Sequence, residues 1–467
     1  MKKIIPYPFQ VKGINRVENK FNGRGLIADE MGLGKTLTTL LSIKWFLETG
    51  PAVVVCPATL KENWRRECRR HLDMIPVILE GRTPPALGLR KDPNKIYIIN
   101  FDILGDPTDP DSWVNYLKAV NPTFIAIDEC HAIKTRDAKR TKSVRHLCIG
   151  VPRVFMISGT PMTNRPAELW PALNILRPDI FSSFYSFGSR FCNPRKTPWG
   201  WDYRGAANLE ELHDLLNKTC MIRRLKKDVL KDLPSKTRTV IPLEISNRKE
   251  YTQAENFFLT WLRKQSKSRA KKAERAERLV KIGELKRLAA RLKLPGVIQW
   301  VSEYLEESDG KLLLFGIHKA VIDPLFKKFE KLAVRITGDT PKKDRYTYID
   351  RFNNNPSCRL MIGNVQAAGV GWSCTSASTV AFAEMAWTPG EMTQAEDRIH
   401  GIGRGTGVPG SFYYLVGTKT IEDKLVNVLH TKQQNLSTTL DGHADASGFD
   451  VLDKLEQILL ASKKVKV

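Results

Sequence analysis

Residues 29–36, DEMGLGKT, lie between an apolar stretch, GLIA at 25–28, and a run of helical character, LTTLLSIKWFL at 37–47. A strand, a glycine turn and a helix in that order constrain the chain to an α/β fold, with the turn at the C-terminal end of a strand. This is also the context that a phosphate-binding loop requires. Gly32 and Gly34 let backbone N–H groups approach a polyphosphate, and the helix N-terminus adds its positive end. Lys35 then reaches the β- and γ-phosphates of ATP, and the Thr36 hydroxyl sits on Mg²⁺. The strict pattern G-x-x-x-x-G-K-[ST] is not met, because Asp29 stands where its first glycine belongs. The competing reading is a glycine-rich turn with a surface lysine.

A second string favours the phosphate loop. TFIAIDECH at 123–131 is an apolar strand that ends in two carboxylates. Asp128 at that strand end is placed to hold Mg²⁺, and Glu129 to orient and deprotonate an attacking water. The rival is a strand followed by an acidic helix N-terminus, where carboxylates are favoured in any case.

Charge narrows the partner. Lys and Arg number 74 against 50 Asp and Glu, a formal net charge of +24. Such an excess favours a polyanion, and nucleic acid is the polyanion that suits a nucleotide-driven chain. A membrane surface is the rival, but no apolar run reaches the roughly 18 residues of a spanning helix. The start, MKKIIPYPFQ, has no apolar core of a signal peptide. The eight cysteines are scattered, with no C-x-x-C and no zinc spacing, which reads as reduced thiols in a cytosolic setting.

Two alternating series of strands and helical segments run along the chain. In the first, strands fit 53–56, 96–99, 124–127 and 154–157; in the second, 312–315, 333–336, 360–362, 379–383 and 412–416. Each series predicts a parallel sheet covered by helices. The expected organisation is an N-terminal lobe over 1–235, with an inserted segment around 165–222, and a C-terminal lobe over 236–467. A helical, basic protrusion is expected at 248–294 of the second lobe. Between 263 and 293 it holds thirteen Lys or Arg and three Glu, which reads equally as a solvated helix pair or a nucleic-acid grip.

Further strings fall at predicted strand ends, where open α/β sheets place their ligand-binding residues. They are VVVCPATL at 53–60, IINFD at 98–102, FMISGTP at 155–161 and NVQAAGVGWSC at 364–374. QAEDRIHGIGR at 394–404 supplies Arg398, suited to act as an arginine finger on the γ-phosphate. Gln10 precedes the phosphate loop by about twenty residues, and its carboxamide can pair with an adenine edge.

The order YPFQ, DEMGLGKT, DECH, SGTP, GVG and QAEDR resembles the Swi/Snf-type branch of helicase superfamily two, over about residues 6–436. SGTPMTNRPAELW at 158–170, PWGWDYRGAANLEEL at 198–212, MIRRLKKDVLKDLPSK at 221–236 and AEMAWTPG at 383–390 resemble the annealing-helicase (HARP-type) ATPase core. The resemblance implies two tandem RecA-like lobes and an ATP-driven translocase on double-stranded DNA that remodels or reanneals branched DNA, or displaces bound protein. It carries nucleotide-site roles onto Gln10, Gly32, Gly34, Lys35, Thr36, Asp128, Glu129, Gly159, Thr160, Gly371, Gln394 and Arg398. It also implies a chain that works as a monomer without a stable protein partner, in the cytoplasm with the nucleoid, or in a nucleus.

One departure stands out. The family continues with His-Arg-Ile-Gly-Gln, whose Arg is a second finger, whereas here the residues are His400, Gly401, Ile402, Gly403 and Arg404. Either Arg404 serves at the nucleotide instead, or turnover is slow. Gly401 motivates one alternative function, an ATP-dependent DNA clamp with weak hydrolysis; the acidic box allows another, a strand-separating DNA or RNA helicase.

Overall fold

The computed structural model describes residues 6–85, 94–162, 165–198, 200–230, 236–265, 272–365, 374, 376–387, 389–399 and 409–426. The chain divides into two compact units, the first running to Lys231 and the second beginning at Asp232. Gly371, Gly401 and Arg404 lie outside the described residues.

The first unit is a seven-stranded sheet. Its strands are β1 (Arg24–Ile27), β2 (Ala52–Cys56), β3 (Val77–Ile78), β4 (Ile96–Asn100), β5 (Phe124–Asp128), β6 (Arg153–Ile157) and β9 (Met221–Ile222). They lie in the order β3-β4-β2-β5-β6-β1-β9 and every pairing is parallel. β2 and β4 are buried at every position, as expected of strands covered on both faces by helices. Leu26, Val53, Val55, Ile125, Ile127 and Val154 form the centre of one core with residues of the covering helices. A separate antiparallel hairpin, β7 (Arg195–Thr197) and β8 (Gly200–Asp202), belongs to the expected insertion.

The second unit repeats the design. β10 (Lys236–Leu243), β11 (Leu312–Gly316), β12 (Ala333–Ile336), β13 (Leu360–Asn364), β14 (Thr379–Phe382) and β15 (Gly410–Gly417) form a parallel sheet ordered β10-β15-β14-β11-β13-β12. The predicted strands of both series are all present, within a few residues at their ends. The basic region forms two helices, Arg248–Gln265 and Lys272–Glu307. The second runs past the expected end at 294 and through Pro295, because Val297, Val301 and Leu305 continue the apolar face that packs on the sheet.

The grip reading of 263–293 needs revising for two of its cations. Lys286 and Lys293 are only 1% and 0% exposed, so they cannot meet a phosphate. Lys293 Nζ pairs with Glu422 Oε2 at 2.6 Å and donates to the Leu415 carbonyl, which ties the long helix to the end of β15. Lys286 donates to the Met385 carbonyl and lies 4.5 Å from the Trp387 ring centroid.

Candidate functional site

Sheet order decides which strings meet. β5, β6 and β1 are neighbours, and Asp128, Ile157 and Ile27 are level across them in register. The residues that follow each strand therefore leave one edge side by side. This brings DEMGLGKT, DECH and SGTP together, although more than a hundred residues separate the first from the last.

The loop after β1 folds as its glycines predict. Gly32 has φ +81° and Gly34 φ +70°, and Gly34 caps the helix Lys35–Phe46. Lys35 Nζ donates to the Asp29 carbonyl at 2.9 Å and the Glu30 carbonyl at 3.3 Å, so its ammonium lies within its own loop. Thr36 follows it in the first turn of that helix. Gly159 abuts the same loop. A Cβ added there would lie 2.4 Å from Met31 Cγ and 3.2 Å from Lys35 Nζ, so only glycine allows this approach.

Asp128 and Glu129 are held by groups that the sequence did not point to. Trp64 Nε1, on the helix Lys61–Leu72, donates to Asp128 Oδ2 at 2.8 Å, and Trp64 is fully buried. The Glu129 N–H donates to Asp128 Oδ1 at 2.9 Å. Glu129 itself adopts φ +50°, a left-handed conformation that costs a non-glycine residue roughly 1–2 kcal/mol. Ser158 Oγ donates to Glu129 Oε2 at 3.3 Å, and His131 Nδ1 lies 3.2 Å from the same oxygen. Burial, with the charge of Glu129 beside it, pushes the Asp128 carboxyl up to about 7. A carboxylate so placed gains most from a cation. Its oxygens, like the Thr36 hydroxyl of the loop, are hard donors of the kind Mg²⁺ takes.

Gln10 is fully buried. Its Nε2 donates to the carbonyls of Leu33 and Gly34 at 3.4 and 3.3 Å, and its Oε1 accepts from the Tyr7 N–H at 3.0 Å. The side chain expected on adenine thus also touches the phosphate loop. Asp29, the residue that spoils the strict loop pattern, is buried and paired with Arg224, whose Nε lies 2.8 Å from Asp29 Oδ1. Arg224 also donates to the Phe9 carbonyl and lies 4.9 Å from the Phe9 ring centroid. Arg223 donates to the carbonyls of Ala28 and Gly159 at 2.9 and 3.2 Å. The segment after β9 therefore braces three of the strings at once.

In the second unit, Gln394 and Arg398 belong to one stretch, the helix Pro389–Glu396 and its exit. A buried ion cluster anchors it. Glu396, 1% exposed, accepts from Lys236 at 3.1 Å, from Arg238 at 2.6 and 2.8 Å, and from the Tyr414 hydroxyl at 2.5 Å. Burial opposes its charge, but the Arg238 hydrogen bond and the Lys236 charge outweigh it and hold the carboxyl below the usual range. The Arg398 carbonyl accepts from the Cys374 N–H at 2.8 Å. All eight cysteines are buried free thiols.

Two family models match the chain: the SNF2-related domain over residues 10–293 and the helicase conserved C-terminal domain over 296–403. A SWI/SNF-related matrix-associated actin-dependent regulator of chromatin subfamily A-like protein 1 from Xenopus tropicalis is 33% identical over 435 residues, covering 91% of this chain and 44% of that protein. The mouse DNA annealing helicase and endonuclease ZRANB3 is 31% identical over 457 residues, covering 94% of this chain and 41% of that protein. The chain thus spans less than half the length of these two relatives. The Sulfolobus solfataricus SWI2/SNF2 ATPase core in complex with dsDNA is similar at 24% identity and a TM-score of 0.43, covering 95% of this chain and 96% of that one.

Proposed function

The chain belongs to the SNF2-related family of helicase-type ATPases, and we propose that it is a DNA-stimulated ATPase that translocates on double-stranded DNA and remodels or reanneals branched DNA. The observation that carries the proposal is the convergence of Lys35, Gly159, Ser158, Glu129 and Asp128 on one sheet edge. The residues there suit the parts that phosphoryl transfer requires: Lys35 as a cation on an amide-rich loop, Asp128 as a carboxylate for a metal, and Glu129 as the base.

In this reading the amides that open the helix Lys35–Phe46 cradle the phosphates, and Lys35 exchanges its loop carbonyls for phosphate oxygens. Gln10, buried and bonded to Leu33 and Gly34, reads adenine by exchanging those bonds for the base edge, which links that reading to the loop. Thr36 and Asp128 would hold Mg²⁺, which supplies positive charge to the phosphate oxygens. Glu129 accepts the proton of the attacking water at its carboxylate, with Ser158 and His131 fixing the orientation of that carboxylate. The arginine-finger role is assigned to Arg398, and nucleotide-binding roles to Gln394 and Gly371, by their match to the family's motifs, and Arg404 is assigned a nucleotide-binding role in place of the second finger. The protein works as a single chain, with duplex or branched DNA as its partner.

The test is ATP hydrolysis by the full chain with double-stranded DNA, single-stranded DNA and RNA. Duplex DNA should stimulate most. Glu129→Gln should keep ATP binding and lose turnover, because water loses its base. Stronger stimulation by RNA, or none by any polynucleotide, would sink the reading.

A further inference from the structure

The hairpin β7–β8 takes no part in the chemistry above. Two strands alone are marginal in water, so one that stands out from a domain must be held at its root. Here Tyr203 packs edge-on against Phe184 at 5.1 Å between ring centroids. Asn208 Nδ2 donates to the Arg190 carbonyl at 2.7 Å, and Ala207 N to the Phe191 carbonyl at 3.0 Å. The turn is closed by Thr197 Oγ1 on the Gly200 carbonyl at 2.6 Å.

What this hairpin presents is specific. Register sets Lys196 opposite Trp201 and Arg195 opposite Asp202, so Lys196 and Trp201 share one face. Trp201 is 58% exposed, and both cations are exposed. Tyr185, 65% exposed, continues the aromatic surface beside Tyr203 at the root. Asp202 is the one acid in 193–205, and Arg204 Nε holds both its oxygens at 2.9 Å. The hairpin therefore offers a bare indole and two cations, with its single negative charge already paired.

An aromatic face with adjacent cations suits bases and phosphates: rings stack on bases, and cations meet the backbone. Inside a continuous duplex every base-pair face is covered by the next pair, and uncovering one costs a few kcal/mol. At a branch point the terminal pair leaves one face bare. We infer that this hairpin recognises DNA junctions, with Trp201 stacked on the terminal base pair of a branch and Lys196, on the same face, on a flanking phosphate. The inference rests on the duplex-DNA reading above and adds which DNA feature the chain selects.

The test uses the full chain with Trp201→Ala, Trp201→Phe and Lys196→Ala. Affinities for a fluorescent forked DNA and a duplex of equal length, both with their outer ends closed by loops so that only the branch bares a base-pair face, are measured at one salt concentration, alongside ATP hydrolysis with each. Trp201→Ala should weaken fork binding about tenfold, within the range for one stacked base, and leave linear duplex binding and hydrolysis unchanged. Trp201→Phe, which keeps a ring, should retain most of the fork preference. Lys196→Ala should weaken fork binding less and lower its salt dependence. An unchanged ratio of fork to duplex affinity in Trp201→Ala overturns the inference, as does an equal loss on both DNAs. A lowered melting temperature with both affinities intact would mean that the hairpin packs against protein, and overturns it too. If the unaltered chain prefers forks but no duplex stimulates hydrolysis, the translocase reading fails and the role of the hairpin stands.

Discussion

At Lys286 an ammonium is buried against one carbonyl and the face of Trp387, with Glu384, Glu391, Glu422 and Lys293 as the charges around it. Burial lowers it to about 8, although Glu384 and Glu422 pull the other way. An unfolded lysine titrates near 10.4, so between those values the unfolded chain binds the extra proton and stability rises with pH. Below the folded value the full penalty of burying the charge is present. Lys286→Met should therefore gain more stability at pH 7 than at pH 10, by a difference on the order of 2 kcal/mol. Urea denaturation at the two pH values measures it; an equal change at both would mean that the ammonium is not penalised. The sequence held the clue to this burial. Ile282, Lys286, Ala289 and Lys293 recur at helical spacing and are all buried, yet counting charge over 263–293 hides a lysine inside an apolar stripe. The nucleotide-site strings were legible for the opposite reason, because glycines, a lysine and carboxylates at strand ends carry their chemistry locally. Trp64 and Ser158 were not, since only the order β2-β5-β6 brings them to the carboxylates, and His131, though in the same string as Glu129, carries no sign of its contact in the sequence.

Among the elements, β9 and the residues after it show what a sequence conceals. Two residues, Met221 and Ile222, are too few for any apolar period, and their partner β1 lies nearly two hundred residues away. The brace they carry depends on Arg224, which closes on the buried Asp29. Truncating one member of a buried pair leaves the other charge uncompensated. Arg224→Ala should accordingly destabilise the first unit by about 3–5 kcal/mol. Adding Asp29→Asn should recover part of that loss, because the stranded carboxylate disappears. Chemical denaturation of the two single variants and the double variant checks this; strict additivity would mean that the pair does not couple. The longer strands were readable because parallel strands buried on both faces are apolar throughout. The basic pattern ends at 294, but the helix Lys272–Glu307 continues across Pro295 because the apolar stripe beyond still packs.

At the scale of the whole molecule, an excess of 24 positive charges explains why a polyanion was expected but not where it binds. Lys286 and Lys293 are spent inside the second unit, and Lys236 and Arg238 on Glu396. Arg291 pairs with Glu250, while Arg287 on the same long helix is exposed. Binding through phosphates releases counterions and carries little sequence information. About six such contacts give a log–log slope of affinity against salt near −5 for duplex DNA. The long helix joins that grip only through cations that face water. If it does, Arg287→Gln should reduce the slope by about 0.9 and weaken all duplex sequences alike. Lys293→Gln should leave the slope alone and lower the melting temperature, because Glu422 loses its buried partner. Duplex affinities of the three proteins across a salt series, with melting curves beside them, decide the matter. A slope unchanged by Arg287→Gln removes the helix from the DNA contact, and a slope near zero for the unaltered chain removes phosphate binding altogether.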